Sequence, residues 1–135
     1  LTRAEGVPRT AVLWLHRPER RNALSEGMAE SVIACMEAAA TTPPHELAAI
    51  VITGTPPAFS AGRDLKASRE HTPEQAKRYL QLALDSVLAT KRCGVATIAA
   101  VNAAAAGWGL ELALASDIRV FHRDALLFLP ETSLG

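Results

Sequence analysis

The chain has 135 residues, the size of one compact domain. It is 49% hydrophobic, enough for a core, and Lys plus Arg balance Asp plus Glu at 14 each. Zero net charge argues against a nucleic-acid surface or a polybasic membrane patch, 4% aromatic content against a base-stacking platform, and no apolar run approaches the roughly 20 residues of a membrane span.

Cys35 and Cys93 form no Cys-x-x-Cys pair and are too few for a disulfide scaffold. They point to a reducing compartment, cytoplasm or mitochondrial matrix, rather than secretion. In chain order, residues 10–16 (TAVLWLH) are a short run of strand formers ended by Arg17-Pro18. Ser25 is placed to N-cap a helix to about Ala40, with Met28, Val32, Cys35, Met36 and Ala39 at helical spacing, and residues 41–44 (TTPP) close it. Residues 47–53 (LAAIVIT) predict a strand buried on both faces of a parallel sheet, followed by a turn at 54–57.

Thr72-Pro73-Glu74-Gln75 marks the next helix start, with Thr as N-cap, Pro at the first position and Gln completing a capping box. That helix runs amphipathically through Tyr79, Leu82, Ala83, Val87 and Leu88 to about Lys91. Residues 95–101 predict a third strand, a helix enters at Gly107, and 117–122 (DIRVFH) and 125–129 (ALLFL) predict two further short strands. Strands alternating with helices indicate an α/β domain with a largely parallel sheet. The chain stops just after an apolar strand without a C-terminal cap, the ending expected of a fragment.

Three segments carry candidate chemistry. Ser60-Ala61-Gly62-Arg63-Asp64-Leu65-Lys66 follows the strand at 47–53, where loops of α/β sheets commonly bind ligands. Its small residues let the backbone approach a ligand, and the Arg63 N–H is the donor that would face it; the plainer reading is a strand-to-helix turn capped by Asp64. Gly107-Trp108-Gly109 opens a helix, so the Trp108 N–H is a second free donor able to stabilise a developing oxyanion, although Gly-x-Gly at a helix entry is often only a packing device. Glu111, between Leu110 and Leu112, reads as a carboxylate in an apolar setting, which is costly without a task. Pro130-Glu131 supplies a second acid, and two carboxylates around one pocket suit acid–base chemistry.

Other patterns fail inspection. His122-Arg123-Asp124 lacks the downstream Asn and the glycine-rich loop of a kinase, and Ser60 lacks the leading Gly of a nucleophile elbow. His16, His45, His71 and His122 are scattered without ligand spacing, so no metal site is expected.

Together the blocks 15–25 (LHRPERRNALS), 50–54 with 58–66 (IVITG, AFSAGRDLK), 97–102 with 107–119 (TIAAVN, GWGLELALASDIR) and Pro130-Glu131 with Leu134-Gly135 resemble the crotonase (enoyl-CoA hydratase/isomerase) family. The resemblance implies a crotonase-type ββα spiral fold, with residues 1–135 as the N-terminal part of a single domain truncated before its C-terminal helices. It implies a lyase acting on a 2-enoyl-CoA, inactive as this fragment alone. Arg63 and Trp108 match the oxyanion donors and Glu111 and Glu131 the catalytic acids. Both acid positions are filled, which favours hydration; a double-bond isomerase or a non-catalytic binding protein are the alternatives. Ser60, Ala61, Gly62, Asp64, Leu65, Lys66 and Gly107 match the substrate and CoA segments, and Lys66, Arg17, Arg20 or Arg21 could meet the phosphates. CoA is then part of the substrate and no separate cofactor is expected. The expected assembly is a homotrimer or hexamer. Trp108 departs from the family's usual small triplet, and its indole must enter either the core or the acyl pocket.

Overall fold

Each predicted helix start is present in the structure, a computed structural model that describes residues 1–130. Helix α1 (Glu26–Thr41) begins where the Ser25 hydroxyl accepts the Met28 N–H, and it buries Ala29, Val32, Met36 and Ala39 on one face. Helix α3 (Pro73–Arg92) begins at a complete capping box, in which Thr72 and Gln75 each bond the other's backbone N–H through their side chains. Its buried stripe is Tyr79, Ala83, Ser86 and Thr90. Helix α2 (Leu65–Ser68) is a single turn, and α4 (Trp108–Ala115) follows the Gly107 N-cap.

The strands are β1 (Thr2–Arg3), β2 (Thr10–Leu15), β3 (Ala49–Gly54), β4 (Ala96–Val101), β5 (Ala105–Ala106), β6 (Ile118–Phe121) and β7 (Leu127–Phe128). The main sheet has the order β1-β2-β3-β4-β6; β2, β3, β4 and β6 are parallel and β1 pairs antiparallel at the edge. Parallel neighbours require crossovers, and helices supply them: α1 between β2 and β3, α2 and α3 between β3 and β4, α4 between β4 and β6. β5 and β7 form a separate parallel pair.

Register sorts the side chains. Ala11 lies opposite Ile50, Leu13 opposite Ile52, and these opposite Thr97 and Ala99; all are buried, in the core that α1 and α3 help to build. The expectation that residues 47–53 are buried on both faces needs correction. Ile50 and Ile52 are fully buried, but Ala49 and Val51 point to the other face and are only half-buried. On that face Trp14, Ile118 and Val120 are 50%, 54% and 58% exposed, because the described residues cover one side of the sheet. The strand expected at 125–129 contracts to β7, also exposed.

Candidate active site

The first donor segment is built by the turn after β2. Asn22, fully buried with φ 54°, donates through Nδ2 to the carbonyls of Thr55 and Ala58, each at 2.7 Å, and its Oδ1 accepts the Arg17 N–H. One side chain thus ties residues 17–22 to the loop after β3. Leu24 then forms a parallel bridge with Arg63: its N–H donates to Gly62 O at 2.8 Å, and its carbonyl accepts the Asp64 N–H at 3.3 Å. A parallel bridge of this kind uses the groups flanking the central residue, so the Arg63 N–H is directed away from Leu24. Among the described residues it has no hydrogen-bond acceptor.

The second donor segment is β5 and the start of α4. Ala106 N–H donates to Ser60 O at 2.9 Å, Ala104 O accepts the N–H groups of Phe59 and Ser60, and Gly107 N–H donates to Phe128 O. The two segments are therefore stitched together by backbone. Gly107 supplies the positive φ (46°) that turns the chain into α4. Trp108 is the first helical residue, and its N–H likewise has no acceptor among the described residues.

Two glycines permit the close approach. A Cβ on Gly62 (φ +85°) would lie 2.8 Å from the Ala106 carbonyl oxygen, and one on Gly109 would lie 2.5 Å from Ser60 Cβ. Any larger residue at either position forces apart the loops that bear Arg63 and Trp108.

Both donors border one cleft of about 360 Å³, lined by Arg63, Trp108 and Glu111 and, from α3, by Leu80, Ala83, Leu84 and Val87. Arg63, Trp108 and Glu111 thus share one cleft with four apolar residues of α3. The expected burial of Glu111 is corrected here: the residue is exposed. Helix α4 is apolar almost throughout and six of its eight residues are buried, but among the described residues Glu111 shares an open strip with Leu114, 53% exposed. Among the described residues the Glu111 carboxylate has no ionic or hydrogen-bonded partner. The Trp108 indole enters the core. It is 1% exposed, and Nε1 donates to Ser86 Oγ at 3.0 Å, pinning α4 to α3.

The remaining predicted residues divide between scaffold and surface. Ser60 is fully buried; its hydroxyl donates to Asn22 O and accepts the Gly62 N–H, and neither Ser60 nor Gly62 lines a cleft described here. Ala61 N–H donates to Arg21 O. Asp64 caps α2 by accepting the Ala67 N–H, as the plainer reading had it, and takes ion pairs from Arg17 and Arg20, each at 3.4 Å. Burial alone would raise its carboxyl pKa, but the Ala67 N–H and the Arg20 and Arg17 guanidiniums together hold it below the usual value. Beside it Arg20, Arg21, Arg63, Leu65 and Lys66 border a second, open cleft of about 330 Å³. Glu131 lies outside the described residues.

Three residues of the scaffold have polar partners that the sequence does not announce. Asn22, Ser86 and Tyr79 are each buried polar groups whose partners lie far along the chain.

A family model described as enoyl-CoA hydratase/isomerase matches residues 6–135. The probable enoyl-CoA hydratase EchA14 of Mycobacterium tuberculosis is 39% identical over 125 residues, covering 93% of this chain and 48% of that protein. Among solved structures, an enoyl-CoA hydratase from Bacillus anthracis matches with a TM-score of 0.92 at 27% identity, over 99% of this chain and 52% of the other. One from Polaromonas sp. JS666 gives 0.87 at 32% identity, over 96% and 51%. The chain spans about half the length of the relatives it matches.

Proposed function

The chain belongs to the enoyl-CoA hydratase/isomerase family and has its crotonase fold, and on that premise we propose that the whole protein adds water across the double bond of a 2-enoyl-CoA thioester. The observation that carries this reading is the single cleft shared by Arg63, Trp108, Glu111 and the apolar side of α3. The thioester carbonyl oxygen sits between the N–H groups of Arg63 and Trp108, and the acyl chain runs along Leu80, Leu84 and Val87. Water oxygen bonds to C3 as a glutamate takes its proton, and the displaced electron pair moves through C2 onto the thioester oxygen. Free N–H groups at a helix start stabilise that charge, and losing one such donor typically costs about 3–4 kcal/mol of barrier.

Glu111 and Glu131 position and activate the water, and Glu131 returns a proton to C2. The CoA phosphates lie at the second cleft, against Arg21 and Lys66, whereas Arg17 and Arg20 are both paired with Asp64. CoA is thus part of the substrate, and the reaction needs no further cofactor. By family likeness the whole protein assembles as a trimer or hexamer, in the cytoplasm or mitochondrial matrix.

The test is hydration of crotonyl-CoA, followed by the loss of absorbance of its conjugated thioester. Glu131→Gln is expected to abolish turnover and Glu111→Gln to reduce it about 10²-fold or more. Undiminished hydration in both variants overturns the assignment. Conversion of a 3-enoyl-CoA to its 2-enoyl isomer without hydration makes the protein an isomerase, and thioester binding without either reaction makes it a binding protein.

A further inference from the structure

Tyr79 belongs to the buried stripe of α3, at 3% exposure, where phenylalanine would fill the same space. A buried hydroxyl is costly unless it is bonded, so its partners say what it is for. It donates to the Leu24 carbonyl at 2.8 Å and accepts the Asp64 N–H at 3.1 Å. These two groups form the longer half of the bridge opposite Arg63, where Asp64 N–H reaches Leu24 O only at 3.3 Å; the other half, Leu24 N–H to Gly62 O, is 2.8 Å. The hydroxyl is thus wedged into the weaker bond of the bridge and satisfies both of its ends. Asp64 N belongs to the peptide that begins at Arg63 C, so the wedge fixes the backbone on one side of Arg63, and Gly62 O fixes it on the other.

We infer that Tyr79 is a positioning residue for the oxyanion donor: its hydroxyl sets the direction of the Arg63 N–H and ties that direction to α3. The next residue along the helix, Leu80, lines the cleft itself. One helix therefore carries both the apolar wall of the cleft and, on the adjoining face, the peg that aims the donor. His71 meets the Tyr79 ring edge-on, with centroids 5.4 Å apart. This inference rests on the oxyanion reading above.

The experiment reads carbonyl polarisation separately from turnover. A 3-phenylpropenoyl-CoA thioester bound to the wild-type protein is expected to shift its absorbance to the red as the two donors draw charge onto the carbonyl oxygen. Tyr79→Phe is expected to bind the thioester with its Kd within about twofold, to show less than half the red shift, and to lower kcat on crotonyl-CoA about tenfold, against the 10²–10³ of removing a donor outright. Site-specific incorporation of 3-fluorotyrosine at position 79 alters this hydroxyl alone and nearly preserves its shape. It is expected to change the red shift and kcat with Tm unchanged, which keeps the inference testable if Tyr79→Phe fails to fold. A full red shift and full kcat in both proteins would make Tyr79 a packing residue and overturn the inference. If the wild-type protein bound the thioester without any red shift, the oxyanion reading would fall first and this one with it.

Discussion

Replacing Gly109 with alanine sets two effects against each other. In an isolated helix the change gains about 1 kcal/mol, because alanine loses less backbone freedom on folding. Here the new Cβ would lie 2.5 Å from Ser60 Cβ and 2.9 Å from both Ser60 oxygens. Carbon atoms rest at about 3.5–4 Å, so Ser60 must retreat by roughly 1 Å. It cannot do so freely, since it is fully buried, its carbonyl holds the Ala106 N–H and its hydroxyl holds Asn22 O. Breaking two buried hydrogen bonds costs about 2–4 kcal/mol, which exceeds the helical gain. The retreat also separates the loops carrying Arg63 and Trp108, and one misplaced donor is worth about 3 kcal/mol, or roughly 10²-fold in rate. Thermal melting and crotonyl-CoA hydration measure the two consequences: Tm is expected to fall by roughly 5–10 °C and kcat by about 10²-fold. Adding Ser60→Gly removes the closest contact and is expected to restore part of both. A Gly109→Ala protein as active and at least as stable as the parent, the result helix propensity alone dictates, refutes the argument.

Trp108→Phe keeps the main-chain donor and removes the indole bond to Ser86; stability is expected to fall by about 1–3 kcal/mol while crotonyl-CoA hydration stays within about threefold. A folded variant with a hundredfold loss in kcat would contradict the assignment of the Trp108 donor to its backbone. Asp117 accepts the Thr97 N–H at 2.8 Å and its hydroxyl at 2.9 Å, which together hold the carboxyl below its ordinary value of 3.8. A folded-state pKa lowered in this way stabilises the native protein above the unfolded value, and that contribution disappears as pH falls below 3.8 through the folded value. Urea midpoints measured against pH are therefore expected to show a shallower acid limb in Asp117→Asn and a lower plateau near neutrality. Identical profiles for the two proteins would remove Asp117 from the acid response.

Local signals carried the elements that stand by themselves. Ser25 and the Thr72–Gln75 box lie within one turn of the helices they start, so nothing distant is needed to find them. β5 was missed because two alanines carry no strand signal. It exists because Ala105 and Ala106 N–H groups meet Leu126 O and Ser60 O. The two donor positions were legible because a glycine-rich turn before a helix exposes N–H groups whatever surrounds it. The burial of Glu111 was misjudged for the opposite reason: an apolar helix announces that it is covered, but which side is covered depends on its neighbours. Which residues of α3 form the cleft's far wall was equally hidden. Leu80 and Leu84, 48% and 51% exposed, lie off the buried stripe and read as ordinary surface until the fold sets them beside Arg63 and Trp108.

Both proposed donors are main-chain groups, and this divides the site into parts that mutation can reach separately. Direction at residue 63 is written into the Leu24 bridge and the Tyr79 hydroxyl, and at residue 108 into the Gly107 turn. The side chain at 63 can therefore be exchanged, and the cleft wall from α3 reshaped, with both proposed donors left standing, whereas the Trp108 indole is held in the core by Ser86. A change at Gly62 or Gly109 does the reverse, disturbing the chemistry while leaving the wall from α3 untouched. Single steps along that wall leave the donors in place, whereas Gly62 and Gly109 are closed to drift.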